Sequence, residues 1–173
     1  MCILSLDIST ASTGWCITSN GCLFTLGNIV VDSKLSTSVK LCLFAEELES
    51  ILIKYSPTHI VQEDIFSGKN VSTMKRLSEF AGISKYMCYN ICNIEPYIIS
   101  NKTVKAYFKA QDKQLLFDFI CVLFEKSFSF KKDNDMIDAL AQMMCFTDSI
   151  LNIYSYRLEK EYGYIYNGGY ISG

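Results

Sequence analysis

The stretch CILSLDISTASTGWCITSNGCLFTLGNIV, residues 2–30, reads as three consecutive antiparallel strands, and the rest of the fold is placed against it. Residues 2–8 form an apolar run that closes on one carboxylate, Asp7. Ser12-Thr13-Gly14 reads as a turn, residues 15–19 return as a strand, and Asn20-Gly21 is a tight-hairpin signal before a third strand over 22–30. A carboxylate flanked by Leu6 and Ile8 is costly to bury unless a cation meets it.

Beyond the hairpins the apolar period changes from two to about 3.6. Val39, Leu41, Leu43, Phe44, Leu48, Ile51 and Leu52 define a helix over 35–55, which Pro57 closes. Residues 59–66 form a short β-branched strand, 70–89 a second amphipathic helix, and 91–99 a strand with Pro96 near an edge. A short helix over 103–109 and a longer one capped by Asp112 follow. The last helix, capped by Asp133 or Asn134, runs to about residue 153. Three antiparallel strands, then helix, strand, helix, strand and further helices, make an α/β fold. Its mixed five-stranded sheet is flanked by helices on both faces. At 173 residues the chain fits one domain, expected over 1–157, with a Tyr- and Gly-rich tail over 158–173.

Three further acids share the character of Asp7. Glu63 lies among Ile60, Val61 and Ile65, and Asp135 and Asp138 sit three apart at the start of the last helix, on one face. Singly, each has an ordinary explanation, such as a solvated edge or a helix N-terminus that favours acids. Together they suggest a shared metal site. Oxygen donors without histidine or thiolate select Mg²⁺, with Mn²⁺ as a substitute, and two such ions suit phosphodiester hydrolysis. Lys105 or Lys113 would stabilise charge in the transition state. Asp64 and Asp133 read as a solvated acid and a cap.

The net charge of −2 and pI near 5.4 disfavour nucleic-acid binding only as a total. Divalent ions at the four acids would lift the sum above zero. The bases are also clustered, with Lys69, Lys75 and Arg76 in one group and Lys102, Lys105, Lys109 and Lys113 in another. Eight cysteines are scattered through apparent core segments, with no CxxC pair and one histidine, His59. They read as free thiols in a reducing, cytoplasmic compartment rather than as disulfides or a zinc site. No apolar run is long enough for a membrane span, and MCILSLDIST lacks the basic start of a signal peptide.

At these residues the chain resembles the RuvC-type Holliday junction resolvases, members of the RNase H-like nuclease superfamily. LSLDISTASTGW is similar to the family's first-strand acid followed by a TG pair and an aromatic. IVQEDIFSGKN is similar to the second acid with its trailing aromatic and KN, and NDMIDALAQ to the paired aspartates. The three motifs in order span about residues 3–146. The resemblance implies an RNase H-like fold and a Mg²⁺-dependent endonuclease with two ions per active site. It implies a homodimer that nicks opposing strands of a four-way junction.

By the same resemblance, Asp7, Glu63, Asp135 and Asp138 are the metal ligands, and Lys105 and Lys113 are the basic groups near the scissile phosphate. Phe66 is the aromatic at the crossover, joined in DNA binding by Lys69, Lys75, Arg76, Lys102 and Lys109. The helix containing Ala81-Gly82 is the dimer helix. Ile8-Ser9 stands where the family has Pro-Gly, and the acidic pI and Tyr-rich tail look more like a phage or viral member. Three other readings compete: a branched-DNA binder that has lost catalysis, a relative that cuts structured RNA, and an ATP-handling domain, for which 173 residues leave no second lobe.

Overall fold

A computed structural model describes residues 1–19, 22–65, 71–123 and 128–151. The sheet has the order β3-β2-β1-β4-β5, built from β1 (Cys2–Asp7), β2 (Ser12–Ser19), β3 (Cys22–Val30), β4 (His59–Glu63) and β5 (Tyr97–Ile99). The first three strands are antiparallel, whereas β4 is parallel to both β1 and β5. The mixed five-stranded sheet read from the sequence is therefore present. Helices α1 (Thr37–Tyr55) and α2 (Val71–Cys92) precede β5, and α3 (Asn101–Phe108), α4 (Lys113–Leu123) and α5 (Phe130–Ser149) follow it.

Alternation along β1 divides the core. Leu4, Leu6 and Ile8 pack with Phe44, Leu48, Leu52, Phe80 and Cys88 of α1 and α2 on one face. Ile3, with Val61 of β4, packs with Ile137, Leu140 and Ala141 of α5 on the other. Each of the Leu, Ile, Val and Phe side chains stabilises the fold by about 1.5–3 kcal/mol when fully buried. Several of them around β1 can therefore hold one misplaced carboxyl at its end.

The loop after Asp7 keeps its shape without the family's Pro-Gly. The Thr13 hydroxyl accepts from the Ser9 N–H and donates to the Ser9 carbonyl, both at 3.1 Å. Among the described non-glycine residues only Ser56, Asn93 and Lys109 have positive φ, so Ser9 needs no glycine-like backbone. Ser12-Thr13-Gly14 is not the turn; it is already the start of β2, with Gly14 paired to Asp7.

Three further features differ from the sequence reading. Residues 91–96 do not belong to a strand. Ile91 and Cys92 continue the apolar face of α2 against the core, and Asn93 ends the helix at φ 55°. The last helix starts earlier than Asp133 or Asn134 predicts. Ser129 is its N-cap, and Asp133 instead accepts the Ser129 N–H from within the first turns at 2.7 Å. Ala81 does not face outward: it is 1% exposed and packs in the α1–α2 core, while Gly82 beside it looks onto open space. Asp112 does cap α4, accepting the Leu115 N–H at 2.9 Å. The hairpin at Asn20-Gly21 and the division between 157 and 158 lie outside the described residues. Among those residues no helix is long and apolar enough to cross a membrane.

Candidate metal centre

Asp7 ends β1 and Glu63 ends β4, at the same edge of two parallel strands. Both belong to the alternation that faces α5, since Ile3 and Val61, an even number of residues earlier, pack against that helix. This is the edge at which open α/β sheets present their chemistry. The helix α5 crosses β1 and β2 closely because small groups lie beneath it. Cys16 donates to the Ala139 carbonyl, and Thr18 meets the Met143 sulfur, each at 3.5 Å. At its N-terminal end the approach is tighter still. A Cβ placed on Gly14 would stand 2.0 Å from the carbonyl oxygen of Asp135. The missing side chain at Gly14, opposite Asp7 in the β1–β2 pairing, is what admits Asp135 to the site.

The result is a cluster in which Asp7, Asp135 and Asp138 each offer a carboxylate oxygen, all within 4.8 Å of one another. Glu63 lies outside this three-way grouping but hydrogen-bonds Asp7. Asn134 donates to Asp135 at 2.9 Å and Asn101 to Glu63 at 2.8 Å, while Lys113 forms an ion pair with Asp138. Burial, then the Glu63 hydrogen bond and the neighbouring negative charges, push the Asp7 carboxyl well above the usual range. Burial also raises Asp138, to about 6, against the opposing pull of Lys113. For Lys113 burial works to lower the ammonium, but Asp138, Asp7 and Asp135 outweigh it, so its net shift is upward.

Asp7 and Asp138 therefore hold their protons more tightly than ordinary carboxyls, and a cation would relieve the crowding. The donor set is all oxygen, the spacing permits shared coordination, and the amides and Lys113 already orient three of the four acids. These residues fit a hard divalent ion. The raised values also set a pH dependence. A carboxyl whose folded value exceeds its unfolded one stabilises the fold below the unfolded value, and that contribution is lost as pH rises through the folded value. In EDTA the melting temperature should therefore rise on acidification from pH 7.5 to 5, with Asp138 contributing about 1.4 kcal/mol across that window. Asp138→Asn should lessen the rise across that window, leaving the part that Asp7 supplies; a parent profile that instead falls on acidification would contradict the geometry.

The other expected site residues are placed as follows. Lys105 is half-buried on α3, four residues after Asn101 and so on the same helix face. Lys102 is exposed on α3, and Lys109 is exposed just after it. Lys75 and Arg76 are exposed in the first turns of α2, the helix that follows β4 and Glu63 in the chain. Phe66 and Lys69 lie outside the described residues. His59 is at the opposite end of β4 from Glu63, beside the Thr58 hydroxyl. Sequence reasoning missed Asn101 and Asn134. An asparagine adjacent to an acid, as in Asn134-Asp135, was the one available signal; nothing in the sequence joined Asn101 to Glu63, 38 residues away.

Strand order β3-β2-β1-β4-β5, with acids from β1, β4 and α5 meeting at one sheet edge, defines an RNase H-like α/β protein with a candidate metal centre. The family model for crossover junction endodeoxyribonuclease RuvC matches residues 3–146, and the chain belongs to that family. It is 31% identical over 153 residues to the RuvC of Caldicellulosiruptor saccharolyticus, spanning 84% of this chain and 91% of that one. With the RuvC of Syntrophomonas wolfei it shares 24% over 171 residues, 92% of each chain. Thermus thermophilus RuvC, solved in complex with a Holliday junction substrate, superposes with a TM-score of 0.73 at 12% identity over 92% of this chain and 98% of that one. The fowlpox virus Holliday junction resolvase gives 0.55 at 15% identity over 87% and 99%.

Proposed function

We propose that the chain is a homodimeric, Mg²⁺-dependent endonuclease that resolves four-way DNA junctions by nicking opposing strands symmetrically. The observation that supports this most directly is the meeting of Asp7, Asp135 and Asp138, with Glu63 bonded to Asp7, at one sheet edge of a RuvC-family chain. These four acids would hold two ions. When bound, such ions would supply Lewis-acid activation of the attacking water and charge neutralisation at the scissile phosphate. The chain's own part is to fix the carboxylates before substrate arrives. Lys113, tied to Asp138, and Lys105, one turn along α3 from the Glu63 contact, bring positive charge to the phosphate. Phe66, Lys69, Lys75, Arg76, Lys102 and Lys109 are the DNA contacts in this reading, with affinity supplied by phosphate contacts and stacking. The free state of the described cysteines favours a reducing compartment such as the cytoplasm.

The test is a synthetic four-way junction labelled on each strand, incubated with Mg²⁺ or EDTA. Paired, ligatable nicks in Mg²⁺ alone support the reading. Binding without cleavage would favour a junction-binding protein, and preference for structured RNA would favour the RNA-cutting alternative.

A two-fold substrate calls for a two-fold enzyme. Lys75, Glu79, Gly82, Tyr86 and Tyr89 recur at spacings of four and three along the exposed face of α2, the pattern of a paired-helix seam. Tyr86 and Tyr89 are 67% and 62% exposed, an unusual cost for two adjacent aromatics with no partner to cover them. Gly82→Glu would place its side chain in open space, so the fold should survive while the seam is charged. Sedimentation should show a monomer with an unchanged melting profile, and coupled double nicking should decay to single nicks. A dimer that persists in this variant would remove α2 as the interface.

A further inference from the structure

The geometry points to Asn101 as the residue that positions Glu63 for divalent-ion binding, through its side-chain amide. This rests on the reading of Glu63 as a metal ligand.

Asn101 is the first residue of α3, and its Nδ2 donates to Glu63 Oε1 at 2.8 Å across 38 residues of chain. The helix does not need it there. Ser100 already caps α3, its hydroxyl accepting the Thr103 N–H at 3.1 Å, and asparagine is a poor helix former. The segment itself is held in place by backbone. The Asp64 N–H meets the Ile99 carbonyl at 2.8 Å, which locks the end of β4 to the end of β5 just before Asn101. A rigid platform therefore presents one amide to one carboxylate.

Glu63 is half-buried and has the longest side chain of the four acids, so it has the most rotamers to lose on binding an ion. Its carboxyl meets both Asn101 and Asp7. With the amide in place the Glu63 carboxyl is aimed at Asp7 before any ion arrives. Without it the side chain can turn toward solvent at the exposed edge of the sheet. Partners of this kind are worth about 10–100-fold in metal affinity. Lys105 stands one turn further along the same helix face, so the platform that presents Asn101 also carries that base.

Two substitutions separate positioning from helix stability. Asn101→Leu keeps the bulk and removes the donor; Asn101→Gln keeps the donor on a longer arm. Both suit a helix better than asparagine, so a merely structural role predicts that neither does harm. Mn²⁺ binding to the full chain is followed directly by electron paramagnetic resonance, and by the Mn²⁺ concentration that half-activates junction nicking. In Asn101→Leu the Mn²⁺ dissociation constant should rise about tenfold or more, with the loss recovered at saturating Mn²⁺ and the melting temperature not lowered. Asn101→Gln should stay within about threefold of the parent on the same scale. Unchanged Mn²⁺ binding in Asn101→Leu, or equal loss in both variants, would overturn the assignment. Glu63→Gln serves as the reference. If it binds Mn²⁺ as the parent does, the metal-ligand reading fails; if it does not while Asn101→Leu does, only the role of Asn101 fails.

Discussion

Asp7→Asn should lose junction cleavage by at least about 10²–10³-fold, the scale of removing one preorganised electrostatic group, and should melt at a higher temperature in EDTA than the parent. The two effects have one cause. Asp7 is 8% exposed at the end of an apolar strand and stands among Glu63, Asp135 and Asp138. As a carboxylate it is what a cation requires; without a cation it is a buried charge beside like charges. Asparagine has nearly the same shape, carries no charge, and can donate to Glu63. Binding of a four-way junction in Ca²⁺ or EDTA should persist, because the proposed DNA contacts Lys75, Arg76, Lys102 and Lys109 are untouched. A variant that is inactive and also stabilised marks an acid retained for chemistry. Cleavage within about tenfold of the parent, far short of that scale, or a lowered melting temperature, would instead mark Asp7 as structural.

Much of this site could be read from residue types and order, because buried carboxylates in apolar strands are expensive and therefore conspicuous. Asp7 and Glu63 each interrupt an apolar run, and the parallel pairing of β1 with β4 puts both at one edge. The α-helical period gave α1 nearly to the residue, with Pro57 and the left-handed Ser56 ending it. Local pattern failed where tertiary contact decides. Ile91 and Cys92 are as apolar as a strand, but they extend the buried face of α2. Ser12-Thr13-Gly14 has turn composition, yet β2 pairing with β1 draws it into the sheet. Within Ala81-Gly82 the sequence does not say which residue faces out; the rotation of α2 buries the first and exposes the second. Capping preference failed for α5 in the same way: Asp133 is a good cap by type, but Ser129 lies one turn earlier and takes the position.

The glycine misread as a turn residue leads to the second large expectation. A Cβ at Gly14 would lie 2.0 Å from the Asp135 carbonyl oxygen, 2.1 Å from its carbon and 2.5 Å from the Met136 nitrogen. All three atoms are backbone, so no side chain can rotate aside. In Gly14→Ala the N-terminal turns of α5 must withdraw by more than about 1 Å to reach ordinary contact distance. Overpacking of this kind costs about 1–3 kcal/mol, and a 1 Å displacement of reacting groups costs about 10²-fold in rate. Cleavage per folded molecule should therefore fall by about that factor, and Mn²⁺ binding should weaken with it, because Asp135 and Asp138 move away from Asp7 as one rigid turn. Gly27→Ala separates this from simple instability. Its Cβ would meet the Trp15 ring at 2.8 Å, on the neighbouring strand and among side-chain atoms that can yield. Gly27→Ala should lose stability but keep its rate once corrected for the folded fraction. Equal rates for the two variants, so corrected, would mean that the close approach at Gly14 serves packing alone and that the acids assemble without it.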